Sequence, residues 1–316
     1  MRQSPISGED SANSAHKVTV MLKRTVTAIL LIALLCGVLA ASYFVDRAFV
    51  DIFIWILLAI ALREMYFCLQ SAGYRVMRVP LAVYMLTAYP VTYVMHEFVG
   101  GYAGYAGIGI CFAASALYAL IQFTLSNPER MQIKDLFATL FVLIYPAFFI
   151  SLAWMLTAKY VAVYAVLFAV FLPVGADTFA YWFGSMIGGR KLCPTISPKK
   201  TVAGFVGGII GGMVVAAVFY LVFEYAAALP AAPADGLVYV PFTDSVWKSV
   251  LIYMAIGFVG ALAGQLGDLA ASRIKRALGV KDFGRIFPGH GGVMDRFDSI
   301  MSGITVLTVA FIAIYA

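Results

Sequence analysis

Charge is scarce in this chain. Charged residues make up 12% of the 316 positions and apolar residues 63%. A soluble domain runs nearer a quarter charged and half apolar. So little polar surface cannot face water on all sides, which excludes an ordinary soluble globular fold. Histidine is nearly absent: His16, His96 and His290 are the three in the chain, too few for a histidine-built metal centre. Four cysteines, Cys36, Cys68, Cys111 and Cys193, show no CxxC spacing, so neither a disulfide framework nor a zinc site is indicated. No repeat of 20–50 residues is evident, and the paired halves of many transporters are therefore not indicated.

What the chain has in quantity is long apolar runs, with a mean hydropathy of +0.93. Nine segments are near span length: 26–45, 49–69, 80–97, 102–124, 135–157, 161–183, 201–225, 246–268 and 298–316. The expected fold is all-α, a polytopic membrane helix bundle of about nine transmembrane helices. The first run follows Lys23 and Arg24 and mimics a secretory signal. Its length is that of a full span, and it reads as the first membrane helix. The expected organisation is a disordered cytoplasmic tail (1–22), N-terminal transmembrane helices (23–160), and a C-terminal catalytic region (161–316). The last carries cytoplasmic loops 184–200 and 269–297. Paired glycines such as Gly207-Gly208 and Gly211-Gly212 read as close helix packing, and such small residues are compatible with a homodimer.

Basic residues orient the bundle. Of the 22 Lys and Arg, 18 fall in alternate connections starting with the N-terminal segment, and only Arg47, Lys159 and Lys248 fall in the others. The positive-inside rule then puts the N-terminus in the cytoplasm and the C-terminus outside. A bacterial inner membrane is the expected location. The net charge of +6 follows from these loops and their attraction to anionic membrane lipids, and does not call for nucleic acid. Arg63 lies inside the second span beside Glu64. The pair reads as a local ion pair or a snorkelling arginine.

Two segments concentrate the chemistry: Asp177–Thr201 and Gly267–Ser299. Together they hold 5 of the 16 acids and 10 of the 22 basic residues. Asp268 ends an apolar run, where an ionisable group is costly and suggests function. Asp295 and Asp298 are three apart at a helix start and share a face. Alone, that pair reads as helix caps with an ion pair to Arg296. With Asp268 added, three carboxylates at one membrane face suit a hard cation such as Mg²⁺. Pro288-Gly289-His290-Gly291-Gly292 is a glycine-rich loop whose backbone N–H groups could approach a phosphate. Lys199 and Lys200 add positive charge on the same side. Cations that clamp phosphates, with carboxylates that hold a metal, point to metal-dependent phosphoryl or nucleotidyl transfer on a lipid phosphate.

The stretch SRIKRALGVKDFGRIFPGHGGVMDRFD, Ser272 to Asp298, resembles the signature of phosphatidate cytidylyltransferases (CDP-diacylglycerol synthases). The upstream DTFAYWFG, GGRKL and SPKKT are similar to further elements of that family. The resemblance implies a nucleotidyltransferase that converts CTP and phosphatidate to CDP-diacylglycerol and pyrophosphate with Mg²⁺, a second cation being left open. It implies Asp268, Asp295 and Asp298 as metal ligands. It adds Lys275, Lys281, Asp282, His290 and Arg296 as catalytic residues. Asp177, Arg190, Lys191, Ser197, Lys199, Lys200, Ser272, Gly291 and Gly292 would bind CTP or the lipid headgroup. Two positions depart from the pattern: Ala203 and Ala271 stand where the family carries glutamate. The alternatives are the same chemistry on another lipid phosphate, a membrane transporter, and a homologue without activity.

Overall fold

The computed structural model describes residues 7–100, 103–157, 162–225, 243, 245–287 and 291–315. The chain is a helix bundle. In order it forms α1 (Ser7–Phe44), α2 (Ala48–Ser71), α3 (Arg78–Val94), α4 (Ala103–Leu125), α5 (Ile133–Val142), α6 (Phe149–Ser151) and α7 (Ala153–Thr157). There follow α8 (Ala162–Ile187), the strands β1 (Lys191–Cys193) and β2 (Ser197–Thr201), α9 (Val202–Phe219), α10 (Val246–Ala277), α11 (Met294–Phe297) and α12 (Ile300–Tyr315). Wider π turns continue α3, α5 and α9.

Among the described residues, seven helical stretches are long and apolar enough to cross a membrane: Thr25–Phe44, Ala48–Ser71, Ala103–Leu125, Ile133–Thr157, Tyr164–Ile187, Val202–Glu224 and Val246–Ala277. This corrects the nine read from the sequence. The segment near 80–97 gives only 17 residues of α-helix, with Pro90 inside, before a π turn begins at Met95. The segment near 298–316 starts late, because the separate turn α11 precedes it, and α12 has 16 residues. The polar segment 1–22, expected to be disordered, is helical from Ser7 onward. Extending an existing helix costs far less than nucleating one.

The structure shifts two further boundaries. α10 runs 32 residues to Ala277, so Asp268, Ser272 and Lys275 share one helical face at spacings of four and three. α8 runs to Ile187, past the expected end at 183, so Asp177 stands about 15 Å before the end of the helix. The loop between α8 and α9 forms an antiparallel hairpin with Lys191 opposite Thr201 and Cys193 opposite Ser197.

Glycine sets how closely α8, α9 and α10 approach. A side chain at Gly207 or Gly211 would strike Phe183 or Phe179 of α8. One at Gly208 or Gly212 would strike Gln265 or Ala261 of α10. Residues four apart lie on one helical face, so α9 carries two glycine faces, one for each neighbour. Without side chains between them, the backbones meet in van der Waals contact, which is the main attraction between helices in lipid. α12 packs on α8 and α10 and brings its N-terminal end beside the tail of α10.

Candidate active site

The hairpin leads directly into α9. Thr201 closes β2 and caps α9, its hydroxyl accepting from Gly204 N at 3.1 Å. Gly184 leaves room for that hydroxyl, so the hairpin docks on the end of α8. An open pocket of about 410 Å³ forms between α8, the hairpin, α9 and α10, with Asp177, Lys199, Lys200, Thr201, Gln265 and Asp268 among its walls. Lys200 and Asp268 form an ion pair. The Lys200 ammonium is thus held at the pocket wall against a carboxylate. An ammonium carries three N–H donors, and those not turned to Asp268 can serve an anion in the pocket. Asp177 lies within electrostatic range of both Asp268 and Lys200.

A second cluster stands beside this pocket. Lys275 Nζ is 3.0 Å from Asp295 Oδ1 and 3.7 Å from Asp298 Oδ2, and lies 5.2 Å from the centre of the Phe283 ring. Asp295 Oδ2 accepts from the backbone N–H groups of Phe283 (2.9 Å), Gly284 (3.3 Å) and Gly292 (3.0 Å). Both Asp295 oxygens are thus engaged, and the carboxylate ties together the two ends of the signature loop. Gly291 adopts a left-handed φ of +81°, a conformation open to glycine at little cost. A side chain there would meet the Asp295 carboxylate. Asp298 is buried. Its carboxyl is pushed up to about 7, first by burial and then by the negative charge of Asp268. The two clusters are therefore electrically coupled through Asp268 and Asp298.

The residue missed by sequence reading is Glu64. Its side chain neither pairs with Arg63 nor reaches water. It is buried, and its oxygens accept from Val293 N at 3.1 Å and Met294 N at 2.9 Å. Side chains at Gly284 or Gly292 would collide with it. Arg63 instead stacks its guanidinium 5.3 Å over Phe67. A glutamate from the second helix thus anchors the loop more than 200 residues downstream. The one signal in the sequence was an acid within an apolar span, and nothing there named its partner.

The remaining expected residues divide by location. Lys199, Lys200, Asp177 and Asp268 meet in the pocket. Lys275, Asp295 and Asp298 meet beside it, and Gly291 and Gly292 pack around Asp295. Ser272 is half-buried on α10, one turn beyond Asp268. Arg190, Lys191, Lys281, Asp282 and Arg296 are exposed, and neither they nor Ser197 line the pocket. His290 lies outside the described residues, with Pro288 and Gly289. Ala203 and Ala271 do not line the pocket, and Ala271 is fully buried. Among the described residues no group of three or more His, Cys, Asp or Glu is drawn together as a metal centre. Asp295 spends Oδ2 on three backbone donors, while its Oδ1 meets Lys275 alone and keeps a lone pair. Asp268 and Asp298 do fit a hard cation: both offer carboxylate oxygens, and each burdens the other with like charge.

Fold and pocket together define a polytopic membrane protein equipped for an anionic ligand. Comparison with known proteins narrows the class. The model of the family described as "Cytidylyltransferase family" matches residues 22–314. A phosphatidate cytidylyltransferase of Staphylococcus saprophyticus is 32% identical over 197 residues, covering 62% of this chain and 67% of that protein. One from Staphylococcus haemolyticus is 32% identical over 195 residues, 62% of this chain and 66% of that protein. One from Staphylococcus aureus is 40% identical over 147 residues, 46% of this chain and about half (48%) of that protein. This chain belongs to the cytidylyltransferase family, in its phosphatidate cytidylyltransferase (CDP-diacylglycerol synthase) branch, and with that goes a nucleotidyltransferase type of activity.

Proposed function

We propose that the chain transfers the cytidylyl group of CTP to phosphatidate, giving CDP-diacylglycerol and pyrophosphate. One observation carries this reading: Lys199 and the ion pair of Lys200 with Asp268 line one open pocket at the end of membrane-spanning helices. A soluble nucleotide and a bilayer lipid can both reach such a place. A phosphatidate phosphate oxygen attacks the α-phosphorus of CTP. The new P–O bond forms as the bond to the β-phosphate oxygen breaks, and pyrophosphate leaves. The attacking oxygen is already anionic at neutral pH, so no strong base is needed. Lys199 and Lys200 bind phosphate oxygens as charge develops on them. Lys275 holds Asp295 and Asp298 in register, and Asp295 fastens the signature loop. Mg²⁺ would be held by Asp268 and Asp298, and when bound would neutralise phosphate charge. We assign the pocket end to the cytoplasm of a bacterial inner membrane, because basic residues cluster there.

The test uses the full chain in detergent with phosphatidate, labelled CTP and Mg²⁺, following lipid-soluble label and pyrophosphate. The expected result is product that EDTA abolishes and that Asp268→Asn reduces about a hundredfold or more, as loss of a key charge should. Absence of product from folded protein, with Mg²⁺ and other lipid phosphates also tried, refutes the reading.

A further inference from the structure

A second cavity, of about 170 Å³, lies between the π turn after α5, α10 and α12. Its walls are Tyr145, Phe149, Ala263, Met301, Ser302, Thr305 and Val306. The lining is mostly apolar; of its hydroxyls, that of Thr305 donates to the Met301 carbonyl at 2.8 Å. The Tyr145 hydroxyl is buried and has no hydrogen-bond partner among the described residues. Pro146 accounts for the placement of this ring. The residue before a proline is driven out of the α region, and Tyr145 sits at φ −120° and ψ 102° inside an otherwise helical stretch. A buried hydroxyl without an acceptor is costly, and none of the described residues supplies one.

The cavity adjoins the candidate active site. Ser302 packs directly on Gly267, the neighbour of Asp268, and the Asp298 carbonyl lies against the same glycine. Ser302 is four residues beyond Asp298 on the same run of chain, about 6 Å along a helix. Asp298 and Asp268 are close enough to act electrostatically on the Tyr145 phenol. A ligand whose phosphate rests near these carboxylates therefore has a largely apolar slot within one or two helical turns, and in that slot the Tyr145 hydroxyl as a donor with no acceptor among the described residues.

We propose that this slot takes the glycerol-ester portion of a diacyl lipid phosphate, and that the Tyr145 hydroxyl donates to an acyl ester carbonyl. An ester carbonyl is the acceptor that such a lipid carries just below its phosphate, and the adjoining methylenes match the apolar walls. Tyr145 is then a residue that distinguishes ester-linked from ether-linked lipids, since an ether has no carbonyl to accept the bond. This inference rests on the lipid-phosphate reading above.

The test compares diacyl phosphatidate with its dialkyl ether analogue. Wild-type chain is expected to show a KM about three- to tenfold lower for the diester, the worth of one net hydrogen bond. Tyr145→Phe should abolish that difference and leave the KM for CTP unchanged. Ala263→Phe, which fills the slot, should raise the KM for both lipids and again spare CTP. A folded Tyr145→Phe protein that keeps its ester preference overturns the proposal, as does a wild type indifferent to the linkage. Binding of each lipid to the full chain in detergent, measured by native mass spectrometry without CTP, gives the same comparison without turnover. If the wild type makes no product yet Tyr145→Phe loses ester-selective binding, the slot stands and the cytidylyl transfer falls.

Discussion

Replacing Glu64 by glutamine is the sharpest perturbation of the loop that carries Asp295. The two Glu64 oxygens each accept one backbone N–H, from Val293 and Met294. Glutamine keeps one acceptor and turns an NH₂ group toward the other N–H. One buried donor is stranded, at about 1–3 kcal/mol. Leucine strands both, at roughly twice that. If the loop opens locally rather than with the whole bundle, its opening constant rises about 5- to 150-fold for glutamine. Hydrogen–deuterium exchange on the full chain in detergent, read on a peptide covering 291–297, should accelerate by that factor. Peptides from α9 should exchange as in wild type, because their packing does not involve Glu64. Gly292→Ala should loosen the same peptide from the opposite side, since its methyl group meets the Glu64 carboxylate. Unchanged exchange across 291–297 in a folded Glu64→Gln protein would falsify the anchoring role, whatever happened to activity.

Three further outcomes test other parts of the reading. Lys200→Met should raise the KM for CTP tenfold or more, in steady-state assays at fixed lipid, because it removes a cation held at the pocket wall; an unchanged KM would remove Lys200 from the nucleotide site. Gly212→Val should lower the thermal midpoint by an amount matching about 1–3 kcal/mol of overpacking, since its side chain would strike Ala261 and the Gly257 carbonyl; a midpoint equal to wild type would show that α9 and α10 do not approach as described. Asp298 has a folded pKa of about 7, above the ordinary carboxylate range, so its contribution to stability is full below about pH 4 and is lost as pH rises through 7. EDTA-treated wild type should therefore lose thermal stability between about pH 4 and 7 more steeply than Asp298→Asn, and parallel curves would refute that assignment.

Much of this was legible from residue order because the membrane constrains it. Long apolar runs located the spans, and the density of lysine and carboxylate located the two chemical segments. The paired glycines of α9 were read as packing, and they are, on two separate faces. Span counting failed where apolar length and helical length part company: at Pro90 with the π turn that follows, and at α11, which holds residues 294–297 apart from α12. The helix ends were also misread. The end of the apolar run marks Asp268 as a boundary residue, yet α10 continues past it to Ala277. Polar residues do not end a helix once it has left the lipid, so hydropathy marks where the membrane stops and not where the helix does.

The deeper limit concerns what an acid at a membrane face is for. Glu64, Asp135 and Asp295 look in sequence like Asp177, Asp268 and Asp298. In the structure they do different work. Asp135 accepts from the Arg75 and Gln132 backbone N–H groups, Glu64 from Val293 and Met294, and Asp295 from Phe283, Gly284 and Gly292. Each of these three is spent on holding a loop in place. Asp268 and Asp298 act on each other with like charge and each faces a lysine; Asp298 gives one oxygen to the Ser299 N–H and keeps the other toward Lys275. A carboxylate whose oxygens are filled by backbone donors is stable without a cation, whereas two that repel are not. Metal or phosphate affinity should therefore follow Asp268 and Asp298, while substitution of Asp295 or Glu64 should first release the loop. The order in which loop exchange and ligand affinity fail, measured on the same set of variants, separates the two kinds of acid.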